Sequence, residues 1–418
     1  MGEDVLRRQI RDLGVLLEVS KHLGSTIELV PLLQRVEQAA LEVLDCERAS
    51  VFLYDPAADE LYSKVATGAR DIRFSAKLGI AGDTVAQRSI VNVPEAYADP
   101  RFNCAIDRQT GYQTRTILSV PLTGYDGTIV GVLQALNKRG EAFDGRDEEK
   151  GSILGSLAGV AIQRQMLLEE FAVKQRLEHD LAIAREIQSS LLPQHDPCVE
   201  GYDIAGWNQP ADETGGDCYD YVPLPGGALG LLVADATGHG IGPALIVSEC
   251  RALIRALVTM TDDLPTIMSR VNERLLQDLS GGRFVTAFFG VLDPGEHLLE
   301  YVSAGHGPLL YYDAAKDEGE ELQASTLPLA IIRAFEASPG PPLRMQPRDI
   351  LVLATDGFFE WTDASGAQFG AAGVLEVVRA HRDESAREIL EYVHQAVVHF
   401  SGGTPQADDL TAIVVKRR

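Results

Sequence analysis

The sequence predicts an α+β chain in three parts: an antiparallel sheet with helices, a long helix, and a β-sandwich flanked by helices. Three observations carry this expectation. Short β-rich runs mix with helical patterns in the first third, residues 147–192 hold neither proline nor a strand-like run, and beyond Pro193 glycine becomes frequent among buried-looking strands. At ~150 residues per domain, 418 residues make two or three domains.

Leu6, Ile10, Leu13 and Leu17, then Leu29, Leu33, Val36, Ala40 and Val43, recur at helical spacing, so residues 4–45 read as two helices. The period then changes. Residues 49–54 are a β-rich run closed by Asp55-Pro56, and residues 60–66 read as a second strand. Residues 115–121 and 128–136 read as a hairpin joined through Gly124 to Gly127. This order suits an antiparallel sheet with helices at its faces, a first domain over residues 1–150.

Residues 151–193 read as a helical linker. Val173, Leu177, Leu181, Ala184, Ile187 and Leu191 are spaced three or four apart, and Pro193 stops the helix. Such a stripe needs a partner: a second copy in a short coiled coil, giving a homodimer, or the flanking domains. A solvated connector is the remaining reading.

Residues 194–418 form the third part. Strands are expected at 230–234, 284–292, 298–303, 350–355 and 410–415, and helices at 242–259, 264–279, 371–380 and 385–400. Many strands with two pairs of helices suggest a β-sandwich between helical layers.

Composition narrows the partners. With 61 acidic and 37 basic residues the net charge is −24, which argues against nucleic acid and anionic membranes and leaves multivalent cations as suitable ligands. Cys46, Cys104, Cys198, Cys218 and Cys250 are odd in number and scattered, which fits a reducing compartment and not a disulfide framework. Met1 is followed by Gly-Glu-Asp, unlike a signal peptide, and no stretch approaches the ~20 apolar residues of a membrane span. A cytoplasmic protein is expected.

Four acidic positions stand out at strand ends beside glycine or another acid: Asp217 in Thr-Gly-Gly-Asp, Asp235 in Val-Ala-Asp-Ala-Thr-Gly-His-Gly, Asp356 in Thr-Asp-Gly, and Asp408-Asp409 in Ala-Asp-Asp-Leu-Thr. Burying one carboxylate costs several kcal/mol unless it is paired or binds a metal. No matching arginine or lysine cluster lies beside them, so hard divalent cations are the natural counter-charge. Each acid alone has a plainer reading, since Asp-Gly is more often a turn than a ligand. His239 and His306 likewise read as loop or core histidines.

Taken together, these motifs resemble the SpoIIE-like branch of the PPM metal-dependent serine/threonine phosphatases. The matching stretches, over residues 185–418, are Ala-Arg-Glu-Ile-Gln from Ala184, Gly215-Gly-Asp-Cys-Tyr-Asp, Asp235-Ala-Thr-Gly-His-Gly, Ser303-Ala-Gly-His, Thr355-Asp-Gly and Asp408-Asp-Leu-Thr. The resemblance implies an αββα sandwich with two Mn²⁺ or Mg²⁺ ions per catalytic domain. Asp235 and the carbonyl of Ala236 would bridge them, Asp356 and Asp408 would complete one site, and Asp217 would serve the other. Gly216, Asp409 and His239 are auxiliary positions. The implied chemistry is in-line attack on phosphorus by water activated between two metals, with no protein nucleophile. Cys218 and Ser303 stand where tyrosine and asparagine are common in that branch, and neither change removes a carboxylate.

Residues 12–165 resemble a GAF domain. The signature is Asn137-Lys-Arg-Gly-Glu-Ala-Phe143 followed by Asp147-Glu148, and 92–103 and 116–121 fit the same family. Asn137, Lys138, Phe143, Asp147 and Glu148 are therefore expected to line a pocket for a cyclic nucleotide or another small molecule. The whole reads as a sensor-coupled phosphatase acting on a phosphorylated protein, which the resemblance suggests is an anti-sigma-factor antagonist of STAS type. A catalytically silent phosphoprotein scaffold and a small phosphate-ester hydrolase are the alternatives.

Overall fold

The structure is a computed structural model that describes residues 14, 15, 17–23, 25, 26, 28–64, 72–104, 107, 108, 111–279 and 281–418. Residues 4–13 of the first expected helix, which carries Leu6, Ile10, Leu13 and Leu17, lie outside them, as do Val65 and Ala66 at the end of the expected second strand. Contacts divide the chain into Met1–Arg176 and Leu177–Arg418.

In the first unit, helix α1 (Leu29–Leu44) buries Leu29, Leu32, Leu33, Val36, Ala40 and Val43, the face set by their spacing. Strands β1 (Cys46–Asp55), β2 (Glu60–Ser63) and β3 (Ile72–Ser75) lead to helix α2 (Gly79–Gln87). Strands β4 (Val91–Val93), β5 (Ile117–Thr123) and β6 (Ile129–Lys138) complete an antiparallel sheet of order β3-β2-β1-β6-β5-β4. The hairpin read from the sequence is β5–β6, closed by the Gly124 amide donating to the Thr128 carbonyl at 2.8 Å.

Helix α3 (Gly145–Leu191) begins in this unit and presents Gly151, Gly155 and Gly159 to β5. A Cβ at Gly155 would stand 2.6 Å from the Pro121 carbonyl oxygen, so the helix backbone rests directly on the strand. Burial along α3 stops at Gln165, and Leu167, Phe171, Val173, Leu177, Ile183 and Ile187 are exposed.

One carboxyl in this unit gives a pH-dependent expectation. Glu37 on α1 accepts a hydrogen bond from the Val51 amide, and burial raises its pKa to about 7. A carboxyl raised above its unfolded value of about 4.3 contributes stability that is present below that pH and lost as pH rises through 7. Glu37→Gln keeps the acceptor and removes the charge. The fall in melting temperature between pH 5 and pH 8 should therefore be smaller in Glu37→Gln than in wild type.

The second unit contains β7 (Tyr202–Gln209), β8 (Asp217–Pro223), β9 (Leu229–Ala236), α4 (Ile241–Leu257), α5 (Leu264–Asp278), β10 (Val285–Asp293), β11 (Leu298–Ala304), β12 (Leu309–Asp313) and β13 (Glu318–Leu322). It continues with β14 (Leu343–Arg344), β15 (Ile350–Ala354), α6 (Gly357–Glu360), α7 (Gly370–Ala380), α8 (Ala386–Ser401) and β16 (Leu410–Arg417). Two five-stranded antiparallel sheets form, of order β14-β11-β10-β9-β8 and β13-β12-β15-β16-β7.

Alternation along the strands sorts the layers. Tyr219, Tyr221, Leu231, Val233, Phe288, Leu351, Leu353, Ile413 and Val415 pack together between the sheets. Their neighbours Cys218, Leu232, Ala234 and Phe289 face α4 and α5, and Val352, Ala354, Ala412 and Val414 face α7 and α8. The layer order is αββα, as expected.

Candidate metal centre

Strand register brings the first two acids together. Strands β8 and β9 run antiparallel with Asp217 directly opposite Asp235. Both follow the odd-numbered alternation of Tyr219 and Val233, so they share the face between the sheets, at the end of the sandwich. Like charges directly opposite are normally destabilising, so this pairing calls for compensation.

The second sheet supplies hydroxyls. Thr355, next after β15, donates from Oγ1 to Asp217 Oδ2 at 2.7 Å and accepts from the Thr411 amide at 3.1 Å. The Asn208 side chain donates to Thr411 Oγ1 at 2.7 Å. The sequence alone gives these threonines no role, although both stand within the motifs Thr355-Asp-Gly and Asp408-Asp-Leu-Thr.

The glycines beside the acids have a steric cause. A Cβ at Gly216 would come within 2.7 Å of the Ala236 carbonyl oxygen, and one at Gly215 within 2.5 Å of the Asp409 carboxylate. The loop leading to Asp217 therefore closes on β9 only with glycine in both places. It is also gripped from α3: Gln188 Nε2 donates to the Gly215 carbonyl at 2.6 Å, and the Gly215 amide donates to Gln188 Oε1 at 3.1 Å.

Asp356 follows Thr355 at the mouth of this end, and Asp408 is open to solvent beside it, its Oδ1 accepting from the Asp409 amide at 2.8 Å. Asp409 turns the other way. It is buried, and its carboxylate accepts from the amides of Ala211 at 2.7 Å and Asp217 at 3.3 Å. Its work is to hold two backbone segments. Asp409→Ala would leave those amides without a partner, so it should cost about 2–4 kcal/mol of stability, read by denaturant unfolding. His239 points away to the surface, where Nδ1 pairs with Asp212 at 2.7 Å. His306 is buried, with Nδ1 3.4 Å from Thr286 Oγ1, and burial lowers its pKa to about 4.

The electrostatics of the cluster are those of acids without cations. Burial, then Asp235 and Asp409, push the Asp217 carboxyl well above its usual range. Burial, then Asp356, Asp408 and Asp409, raise Asp235 to about 7, and burial with Asp408 raises Asp356 to about 6. Asp217 and Asp235 stand directly opposite one another across β8 and β9, so neither carboxyl gives up its proton as readily as an isolated one. No lysine or arginine makes an ion pair with these five acids among the described residues.

The donor set, carboxylates with the Ala236 carbonyl, is all oxygen and fits a hard divalent cation in its chemistry. As placed, no group of three or more His, Cys, Asp or Glu among the described residues stands close enough to hold one.

The five residues expected to line a ligand pocket in the first unit form an interlock. Asn137 accepts from the Arg115 amide at 2.6 Å and donates to Glu47 and the Gln113 carbonyl, both at 2.9 Å. Lys138 donates to the Leu44 carbonyl at 2.8 Å and to Asp147 at 2.7 Å. Phe143 lies in the core, and Glu148 accepts from Asn92 at 2.8 Å. Their polar groups are spent on distant backbone and side chains. A cavity of about 730 Å³ lies elsewhere in the unit, lined by Tyr54, Lys77, Val85, Arg88, Ile129 and Met166 among others, and by none of the five.

Comparison with known proteins agrees with this division. Residues 28–162 match the GAF domain model, and residues 225–418 match the model for stage II sporulation protein E (SpoIIE). The chain is 25% identical over 260 residues to the phosphoserine phosphatase RsbU of Bacillus subtilis, covering 62% of this chain and 76% of that one. It is 28% identical over 215 residues to a probable 3′,5′-cyclic phosphodiesterase, pde-5, of Caenorhabditis elegans, covering 47% of this chain and 28% of that one. Among solved structures, the SiaA-PP2C domain of Pseudomonas aeruginosa superposes with a TM-score of 0.51 at 23% identity, over 59% of this chain and 98% of that one, a likeness of fold. The αββα unit with its acid cluster is thus a PP2C-like phosphatase domain. The chain joins a GAF domain (residues 28–162) to a SpoIIE-type PPM phosphatase domain (residues 225–418).

Proposed function

We propose that the chain hydrolyses phosphoserine or phosphothreonine on a regulatory protein, using two divalent cations, Mn²⁺ or Mg²⁺, held by Asp217, Asp235, the Ala236 carbonyl, Asp356 and Asp408. The observation that carries this is the convergence of those carboxyls from separate strands and loops with no basic partner: Asp235 pushes up Asp217, Asp356 and Asp408 push up Asp235, and Asp408 pushes up Asp356. When bound, such a cation pair supplies Lewis acidity for the phosphoryl oxygens and for an attacking water. The chain's own residues do the placing: Thr355 orients Asp217, the pairing with β8 fixes Asp235, and Asp409 and Gln188 hold the Gly215–Gly216 loop.

The kinship with RsbU favours a phosphorylated anti-sigma-factor antagonist of STAS type as substrate. The GAF domain is the regulatory input, taking a small molecule, and α3 carries its state to the phosphatase domain. The exposed apolar stripe of α3 is where two chains pair as a homodimer. Five free cysteines fit a cytoplasmic setting, and no helix among the described residues is long and apolar enough to cross a membrane.

The deciding experiment is Mn²⁺-dependent phosphate release from phosphoserine peptides and from small phosphate esters. Peptide turnover abolished by EDTA is expected. Turnover in metal-stripped protein would point to a different chemistry, and binding of phosphoprotein without turnover would leave a scaffold.

A further inference from the structure

We propose that Arg283 binds the phosphate of the substrate at the mouth of the acid site, an assignment that rests on the phosphatase reading above. Register places it there. Thr286 pairs with Asp235 and Val285 with Ala236 across β10 and β9. The Phe284 carbonyl then accepts from the Thr237 amide at 3.1 Å and its hydroxyl at 3.3 Å. Arg283 is the next residue out, beside the 237–240 loop that leaves Asp235.

Its guanidinium lies over Gly242. A Cβ there would stand 3.3 Å from Arg283 Nη1 and 3.7 Å from Cζ and Nη2, and these are its three nearest atoms. Gly242 adjoins Pro243, against which Gly216 of the Asp217 loop is packed: a Cβ on Gly216 would be 3.2 Å from the Pro243 Cβ. Two links of packing therefore join the guanidinium to the acid site.

Arg283 is exposed and makes no hydrogen bond or ion pair among the described residues. Several other arginines of this unit are engaged, Arg251 and Arg255 with Asp220, Arg379 with Asp317 and Arg387 with Asp196. Of those without such a partner among the described residues, Arg283 is the one packed over Gly242 beside the 237–240 loop. In a chain with 61 acidic and 37 basic residues, a guanidinium left unpaired near an acid cluster has a vacant role. Charge defines that role. Four carboxylates against two dications leave no net positive charge to attract a phosphate dianion, and a guanidinium supplies it with a fork matched to two phosphate oxygens.

The test uses the full chain with Mn²⁺, p-nitrophenyl phosphate as substrate and inorganic phosphate as inhibitor and titrant. Arg283→Ala should raise KM and the phosphate inhibition constant about tenfold or more with a smaller change in kcat, while calorimetric Mn²⁺ affinity stays within twofold of wild type. Arg283→Lys should recover part of the loss, because it keeps the charge and loses the fork. Gly242→Ala should reproduce a weaker form of the defect by displacing the guanidinium. Arg185, which lines a polar cleft with Asp212 and Glu213, is the comparator, and Arg185→Ala should leave phosphate affinity unchanged. Unchanged phosphate affinity in Arg283→Ala, or a larger loss in Arg185→Ala, overturns the assignment. A wild-type chain that binds phosphate with Mn²⁺ but hydrolyses nothing overturns the phosphatase reading instead, and Arg283 is then judged on the binding constants alone.

Discussion

Asp235→Asn is expected to lower Mn²⁺-dependent phosphatase activity by at least about a thousandfold while leaving the fold intact, because it removes the carboxylate that both proposed cations share. The same substitution should make the metal-free protein more stable, which separates loss of chemistry from loss of structure. Asp235 is raised to about 7 by burial and by Asp356, Asp408 and Asp409. A carboxyl raised in the folded state above an unfolded value of about 3.9 contributes stability below that pH, lost as pH rises toward 7. In EDTA, the wild-type melting temperature should therefore fall from pH 4 to pH 7 more than that of Asp235→Asn, and the variant should melt higher at pH 7.5. A variant with activity within tenfold of wild type at saturating Mn²⁺ would remove Asp235 from the metal site.

Gln188→Ala is expected to lower activity about 10–100-fold at limiting Mn²⁺, with partial recovery as Mn²⁺ is raised. The side-chain amide makes two hydrogen bonds with the backbone of Gly215, at 2.6 and 3.1 Å, two residues before Asp217. Losing them costs about 1–3 kcal/mol and loosens the loop that places a proposed ligand, and sites of this kind are sensitive to shifts of about 1 Å. Gln188→Asn should fare no better, since its shorter side chain cannot span both groups. The contact also sets where the catalytic unit begins. A 177–418 fragment keeps the grip and should hydrolyse p-nitrophenyl phosphate, while 195–418 lacks it and should be at least tenfold weaker at the same Mn²⁺. Equal rates from the two fragments would make Gln188 a bystander.

The carboxylates were legible because acids beside glycine at the ends of apolar runs are costly without a ligand. What joins them was less so. The Asp217–Asp235 pair depends on register between two strands, which neither strand's own pattern specifies. Thr355 reads simply as a β-former until the two sheets bring its hydroxyl to the Asp217 carboxylate. Asp408 and Asp409 are adjacent acids that turn opposite ways at the start of β16, one to solvent and one to buried amides, a choice made by the loop at 209–217. The GAF signature invited a pocket because its residues are polar and aromatic, yet their partners Glu47, Leu44 and Asn92 lie 56 to 94 residues away. Sequence periodicity carries no record of such partners.

With the proposed cations, the buried acid pair would also make folding answer to the supply of divalent cations. In the metal-free state the gathered carboxyls repel one another, a repulsion that protons relieve at low pH and that the proposed cations would relieve at neutral pH. Any ion that binds the folded chain and not the unfolded one adds RT ln(1 + [L]/Kd) to stability, about 2.7 kcal/mol at a hundredfold excess over Kd. If Mn²⁺ or Mg²⁺ binds as proposed, starvation for either would remove that increment along with the chemistry. Metal scarcity would then be read twice, once as a slower enzyme and again as a shorter-lived one, through more frequent opening to proteases.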